Sequence, residues 1–188
     1  MENRCPWPSG DDLMIAYHDT EWGVPVHDDR KLFEFIVLDA FQAGLSWKTV
    51  LHKREAFRTA FDDFDAGKIV KYDDKKVDEL MQNSGIIRNK QKILATITNA
   101  QCFLDIQKEF GSFDAYLWQF MNNKPLVNKW DKLSQLPASS PESDMMSKAL
   151  RKRGFSFIGT TICYAFMQAA GFVNDHLISC PRHQEVQK

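Results

Sequence analysis

Residues 33–43 read FEFIVLDAFQA, a run built for burial, and Gly44 follows it. Asp28 or Asp29 can open a helix over this stretch, and Gly44 can close it after Ala43. A helix this apolar needs cover on most of its sides. Asp39 is the misfit. Its neighbours three and four positions away are Ile36, Phe35, Gln42 and Ala43, so it points largely into apolar company. A charge there costs stability unless something pairs with it, which leaves two readings: a structural partner or a ligand.

The surrounding segments also read as helices. Asp11 starts one through His18, Ser46 caps WKTVLHKREAFRTAF, and Asp74 caps KKVDELMQN, which ends at Gly85. A long helix is expected from about Arg88 to Lys108. Ser112 caps FDAYLWQFM, Ser140 with Pro141 opens ESDMMSKALRKR up to Gly154, and TTICYAFMQAA runs to Gly171. No strand-like alternation persists, and no repeat appears. NNKPLVNKWDKLSQLPASSP is the longest irregular stretch, and its Leu126, Val127, Trp130 and Leu133 are expected to pack against the body. The expected fold is all-α, a single domain over residues 1–188.

Net charge is −1, so bulk charge announces no nucleic-acid partner. Locally, KALRKRGF groups Lys148, Arg151, Lys152 and Arg153, and IIRNKQK groups Arg88, Lys90 and Lys92. A solvated helix face is the ordinary meaning of one such cluster. No apolar run reaches membrane-spanning length, and the first residues lack the basic-then-apolar order of a signal peptide. No membrane partner and a cytoplasmic location are therefore expected.

Two of the four cysteines, Cys5 and Cys180, lie near the ends of the chain, and each has a histidine companion, His18 and His176. His176 and Cys180 form a His-x3-Cys clip, and Cys5 with His18 would complete a tetrahedral Cys2His2 zinc set. Such a site would staple the first turns to the tail, and its four protein ligands would make it structural. A Cys5–Cys180 disulfide is the competing reading, and His183 is a rival ligand that spacing does not remove. Cys102 and Cys163 fall in apolar helical runs and read as core.

Two turns could serve a larger ligand. In LMQNSGIIRNKQKIL a glycine turn at Gly85 leads into a basic helix start, where exposed backbone N–H groups favour an anion such as phosphate. Arg88 and Lys90 would reinforce that attraction, and Ile86 and Ile87 would anchor the turn; an ordinary helix–helix turn is the plainer alternative. In AGLSW, Leu45 stands at the break between Gly44 and Ser46, either as a buried staple against Val50 or Leu51 or as an apolar wedge.

Taken together, AYHDTEWGVP, LDAFQAGLSWKTVL, GIIRNKQKI, SKALRKRGFSFIGTTICYAFMQAAG and VNDH with the later Cys180 resemble the 3-methyladenine DNA glycosylase I (Tag) family. The resemblance runs from residue 5 to about 180, with the motifs in the family's order. It implies a helix-hairpin-helix glycosylase fold with a zinc ion joining the terminal segments through Cys5, His18, His176 and Cys180. It also implies that the Gly85, Arg88, Asn89 and Lys90 hairpin, with Gly44 and Leu45, binds DNA. The alkylbase pocket maps onto Tyr17 and Trp47, with Trp7 and Trp22 nearby, and the carboxylate that recognises the base maps onto Asp39. There the chain departs from the pattern: the family carries glutamate, and aspartate is shorter by about 1.5 Å. Met14 stands where relatives can carry tyrosine.

What the resemblance implies is excision of 3-methyladenine from alkylated double-stranded DNA by a monomer, the free base being the product; no lysine stands in the pocket motifs as a Schiff-base nucleophile, so no strand cleavage is expected. N3-alkylated adenine is cationic and its glycosidic bond is weak, so the task is to find the lesion, flip it and hold it. Aromatic faces at Trp47 and Tyr17 would favour a cationic ring by about 0.5–2 kcal/mol each. Asp39 would accept from the exocyclic amine and act as the catalytic electrostatic residue, with no general base assigned. The alternative is a lesion-binding module weakened by the glutamate-to-aspartate change.

Overall fold

The structure, a computed structural model, describes residues 3–187. Capping chemistry sets most of the helix boundaries. Helix α1 spans Asp12–Thr20, with the Asp11 carboxylate accepting from the Met14 amide, and α2 spans Asp29–Gln42, with Asp28 accepting from the Lys31 amide. Beyond Ser46 the expected single helix is broken into α3, Trp47–Leu51, and α4, Arg54–Ala60. The cause is tertiary. The break lets Lys53 reach the carbonyls of Ser84 and Gly85 while Arg54 turns inward to Glu34.

A one-turn helix, α5 (Ala66–Ile69), precedes α6 (Asp74–Gln82), whose cap is Asp73 rather than Asp74. Helix α7 spans Lys90–Phe110 and begins later than Arg88, because the Asn89 side chain caps it by accepting from the Lys92 amide. Then come α8, Phe113–Trp118, and α9, Pro141–Lys152, which opens with reciprocal Ser140 and Ser143 bonds. Helix α10 covers Thr160–Ala169, and a short α11, absent from the sequence reading, covers Arg182–Glu185.

Helix α2 is the axis of the molecule. It packs against α3, α7, α8 and α10, and every residue from Leu32 to Phe41 is buried. Two of those ten are carboxylates. Glu34 is answered by Arg54 at 2.6 Å and Arg58 at 2.8 Å. Asp39, 1% exposed, is not: its Oδ2 has no hydrogen-bond partner.

The irregular stretch before α9 is not wholly irregular. Leu126–Val127 (β1) pairs in parallel with Val173–Asn174 (β2), and a bridge joins Trp130 to Leu177. These two-residue strands sew the stretch to the segment after α10 and, with that bridge, are the departure from an all-helical reading among the described residues. Trp130, Leu133 and Leu136 pack on a small second core of Cys5, Leu177 and Cys180, whereas Leu126 is exposed, against expectation. Gly171, just before β2, lets the chain press against the loop that follows α1. Its φ is +70°, and a Cβ there would meet the Val24 carbonyl carbon at 2.2 Å. Among the described residues, no helix is long and apolar enough to cross a membrane.

Candidate active site and metal cluster

A cavity of about 260 Å³ opens where α1, α2, α3 and α10 meet the loop that precedes α9. Its lining includes Trp7, Tyr17, Trp22, Asp39 and Trp47, so the structure brings together all five residues singled out for base contact. The Tyr17 and Trp47 rings lie 5.2 Å apart at 45°, and Trp7 sits edge-on to Trp22 at 5.1 Å. Met14 lies in the same wall.

Three buried polar atoms of this cavity lack partners: Asp39 Oδ2, Trp7 Nε1 and Trp47 Nε1. Unpaired polar atoms in a closed site cost roughly 1–3 kcal/mol each, so three at one cavity mark it as built for something polar. Burial holds the Asp39 carboxyl well above the ordinary carboxylate range, with Arg54 opposing it in part. Burial first, and then Asp39, drives Tyr17 upward as well. Burial thus favours the neutral form of both groups, and a cation entering between them would shift Asp39 toward its ionised form.

The cavity also has walls that sequence reasoning missed. Ala165, Gln168 and Ala169 present one face of α10 at helical spacing, two of them small enough to leave space. Leu133 and Leu136, from the loop that precedes α9, complete the lining. A small-residue face on α10 was a readable signal; the two leucines carry none, because only the fold brings them near. Gln168 is fixed by its amide Nε2, which donates to Asp175 at 2.8 Å.

Behind Trp7 and Trp22, the donor atoms of Cys5, His18, His176 and Cys180 all lie within 4.8 Å of one another, and all four residues are buried. His18 Nε2 and His176 Nδ1 are 3.1 Å apart, and Cys180 Sγ lies 3.8 Å from the former and 3.9 Å from the latter. A tetrahedral ion held at ordinary M–N and M–S lengths needs edges of about 3.3–3.8 Å, so the set is close to closing on one.

The outer partners fit equally well. His18 Nδ1 faces Asp19 at 2.7 Å, and His176 Nε2 faces the Trp22 carbonyl at 2.9 Å, the arrangement that orients ligating imidazoles. Arg4 in turn holds Asp19. Burial keeps His176 neutral, pulled down to about 3, and pushes the Cys5 thiol up to about 12, so a thiolate there needs a cation beside it. All four cysteines are free, which removes the Cys5–Cys180 disulfide. His183 is turned away, with Nε2 on the Asn128 carbonyl at 2.8 Å, so it is no rival ligand. Cys102 and Cys163 are buried core residues, as expected.

The sequence profile of the methyladenine glycosylase family matches residues 7–183. The chain belongs to that family. It is accordingly an enzyme, of a glycosylase family. It is 51% identical over 177 residues to DNA-3-methyladenine glycosylase 1 of Escherichia coli K12, covering 94% of this chain and 95% of that one. A DNA-3-methyladenine glycosylase of Haemophilus influenzae is 50% identical over 181 residues, 96% of this chain and 98% of its own. A 3-methyladenine DNA glycosylase I from Staphylococcus aureus, solved to explain 3-methyladenine recognition, superposes with a TM-score of 0.92 at 35% identity over 95% of both chains.

In this family member the two turns lie outside the cavity lining. Leu45 is 45% exposed at the α2–α3 turn, so it is not the buried staple, and Gly44 beside it has φ +80°. In the α6–α7 turn Ile86 is buried, while Arg88 and Lys90 are exposed and meet no carboxylate among the described residues. A Cβ on Gly85 would lie 3.0 Å from Ala56, so that turn is pressed against α4.

Proposed function

We propose that this single-domain enzyme flips 3-methyladenine out of alkylated double-stranded DNA and releases it by hydrolysis, without a lyase step. The observation that carries the proposal is the aromatic cavity with its unpartnered Asp39 carboxyl and its two unpartnered indole N–H groups. A cationic purine between Trp47 and Tyr17 would give Asp39 the charge that burial denies it, and a neutral adenine would not. Selectivity would then follow from the charge of the lesion itself. Asp39 accepts from the exocyclic amine and offsets positive charge on the sugar as the bond breaks. Trp7 and Trp22 complete the pocket wall.

Leu45 would enter the gap left by the flipped nucleotide. The α6–α7 turn, read as the helix-hairpin-helix element, would hold the phosphates with Gly85, Arg88, Asn89 and Lys90. Replacing Arg88 and Lys90 together by alanine should lower the slope of log binding constant against log salt by about 2. The measurement is duplex binding across a salt series, and an unchanged slope removes those two residues from the interface.

The Cys5, His18, His176 and Cys180 cluster suits one zinc ion. Bound there, zinc would supply no reaction chemistry, only a covalent-strength link between the two ends of the fold. A monomer is sufficient, since every residue of the cavity and cluster comes from one chain.

The absence of a lyase step is supported by the lysines. Lys48, the one nearest Trp47 in sequence, pairs with Asp11 at 2.9 Å and does not line the cavity. Borohydride in the reaction mixture should trap no covalent enzyme–DNA adduct; any trapped adduct would overturn this part, and its loss in Lys48→Ala would name Lys48 as the nucleophile. The alternative, a lesion-binding module without turnover, is favoured by the reach of Asp39, about 1.5 Å short of glutamate. Release of free base from methylated duplex separates the two. Tight lesion binding with no release at any enzyme concentration would establish the alternative.

A further inference from the structure

Lys92 is 6% exposed, yet it meets no carboxylate among the described residues. Its Nζ donates to the carbonyls of Phe41 at 2.8 Å and Ala43 at 2.6 Å. These are last-turn carbonyls of α2, which the helix itself cannot satisfy, and a cation is the favoured partner at that end. The turn that follows is closed by the Leu45 amide on the Gln42 carbonyl at 2.7 Å. Leu45 is therefore presented by a turn that is held from another helix at two carbonyls, those of Phe41 and Ala43.

Lys92 belongs to the first turn of α7, and its own amide is the donor to the Asn89 cap at 3.1 Å. One residue thus touches the basic α6–α7 turn through its backbone and the Leu45 turn through its side chain. A third segment joins them. The Phe157 ring, in the loop between α9 and α10, lies 5.9 Å from Nζ, and Phe157 has φ +57°. Two turns along α7 from Lys92, Asn99 clamps the same loop, bonding the Ser156 carbonyl at 3.1 Å and its amide at 2.8 Å.

We infer that Lys92 is a positioning residue that fixes the Leu45 turn relative to the α6–α7 turn, so that wedge insertion and phosphate gripping occur in one register on the duplex. The inference rests on the glycosylase reading above. Lys92 does not line the base cavity, so its loss should leave recognition of the isolated base intact. It should slow only the step that needs Leu45 and the duplex together. Misplacement by about 1 Å is enough to cost on the order of 100-fold in such a step.

The test compares wild type, Lys92→Met, Lys92→Gln and Leu45→Ala, with the double variant. Single-turnover release of 3-methyladenine from methylated duplex should fall about 10- to 100-fold in Lys92→Met. Binding of free 3-methyladenine, followed by tryptophan fluorescence, should stay within about twofold. Lys92→Gln, whose amide still offers two N–H donors, should recover part of the rate. The double variant should release no more slowly than Leu45→Ala alone, because Lys92 acts through that turn. An equal loss of free-base binding, additive effects in the double variant, or an unchanged rate in Lys92→Met would each refute the role. The wild-type reaction separates the two claims. No release by the wild type removes the proposed function and this inference with it, whereas normal release beside an equally active Lys92→Met removes only the inference.

Discussion

Asp39→Ala is expected to release 3-methyladenine from methylated duplex about 100-fold more slowly than the wild type, and Asp39→Glu to match or exceed the wild-type rate. The magnitude follows from one charge-assisted hydrogen bond in a water-poor site, about 1.5–3 kcal/mol, with each 1.4 kcal/mol a factor of ten. Glutamate reaches about 1.5 Å further into a cavity of about 260 Å³ that has space for it. Single-turnover release with all three proteins is the measurement. Equal rates would leave Asp39 with no part in recognition.

The same side chain makes a second, independent reading available in the free protein. Burial raises the Asp39 carboxyl well above its ordinary range. Below about pH 4 the folded and unfolded chains both hold the proton, and Asp39 costs nothing. As pH rises past that value the unfolded chain ionises while the folded one does not, so stability falls until the folded pKa is passed. Asp39→Asn should therefore gain thermal stability over the wild type above about pH 4, the gap widening with pH until the folded pKa is passed and closing at the acid end. In kinetics the sign is reversed. The wild-type kcat/KM should climb with pH as Asp39 becomes easier to ionise, and Asp39→Asn should lack that limb. A function-bearing residue that destabilises its own fold explains why no partner answers Asp39 while Glu34, five residues earlier on the same helix, has two.

That contrast also marks how far the sequence carries. The burial of α2, the misfit at Asp39 and the caps at Asp11, Ser112 and Ser140 could be read from residue types and spacing, whereas spacing left His183 and a disulfide open beside the set of Cys5, His18, His176 and Cys180, which the family resemblance implied. What escaped was decided by contacts between segments far apart in the chain. The break between α3 and α4 follows from where Lys53 and Arg54 find acceptors, which local propensity does not encode. The pairing of β1 with β2 needs only two residues on each side, too few to show a period. Leu133 and Leu136 enter the cavity wall because Asp175 gathers Asn128, Trp130, Tyr164 and Gln168 around one carboxylate. Lys92 reads as one more member of a solvated basic cluster, and its burial and its two carbonyl partners distinguish it from Arg88 and Lys90.

Chelation, or Cys5→Ala, should lower the melting temperature by about 10 °C and weaken binding of free 3-methyladenine in the same step. The stability loss follows from what the cluster joins. Cys5 and His18 lie at one end of the chain, His176 and Cys180 at the other, and Cys5 and Cys180 sit in the small core on which Trp7, Trp130, Leu133 and Leu136 pack. The loss of binding follows from adjacency. The Trp7 ring lies 5.3 Å from that of His18, the Trp22 ring lies 4.7 Å from that of His176, and both tryptophans line the cavity. If the cluster loosens, the aromatic wall behind the base loosens with it. Metal analysis of protein never exposed to chelator should find one zinc per chain, with Cys5→Ala depleted and His183→Ala unchanged. A full metal content in Cys5→Ala, or chelated protein that melts and binds base as before, would mean that the four side chains serve only as packing.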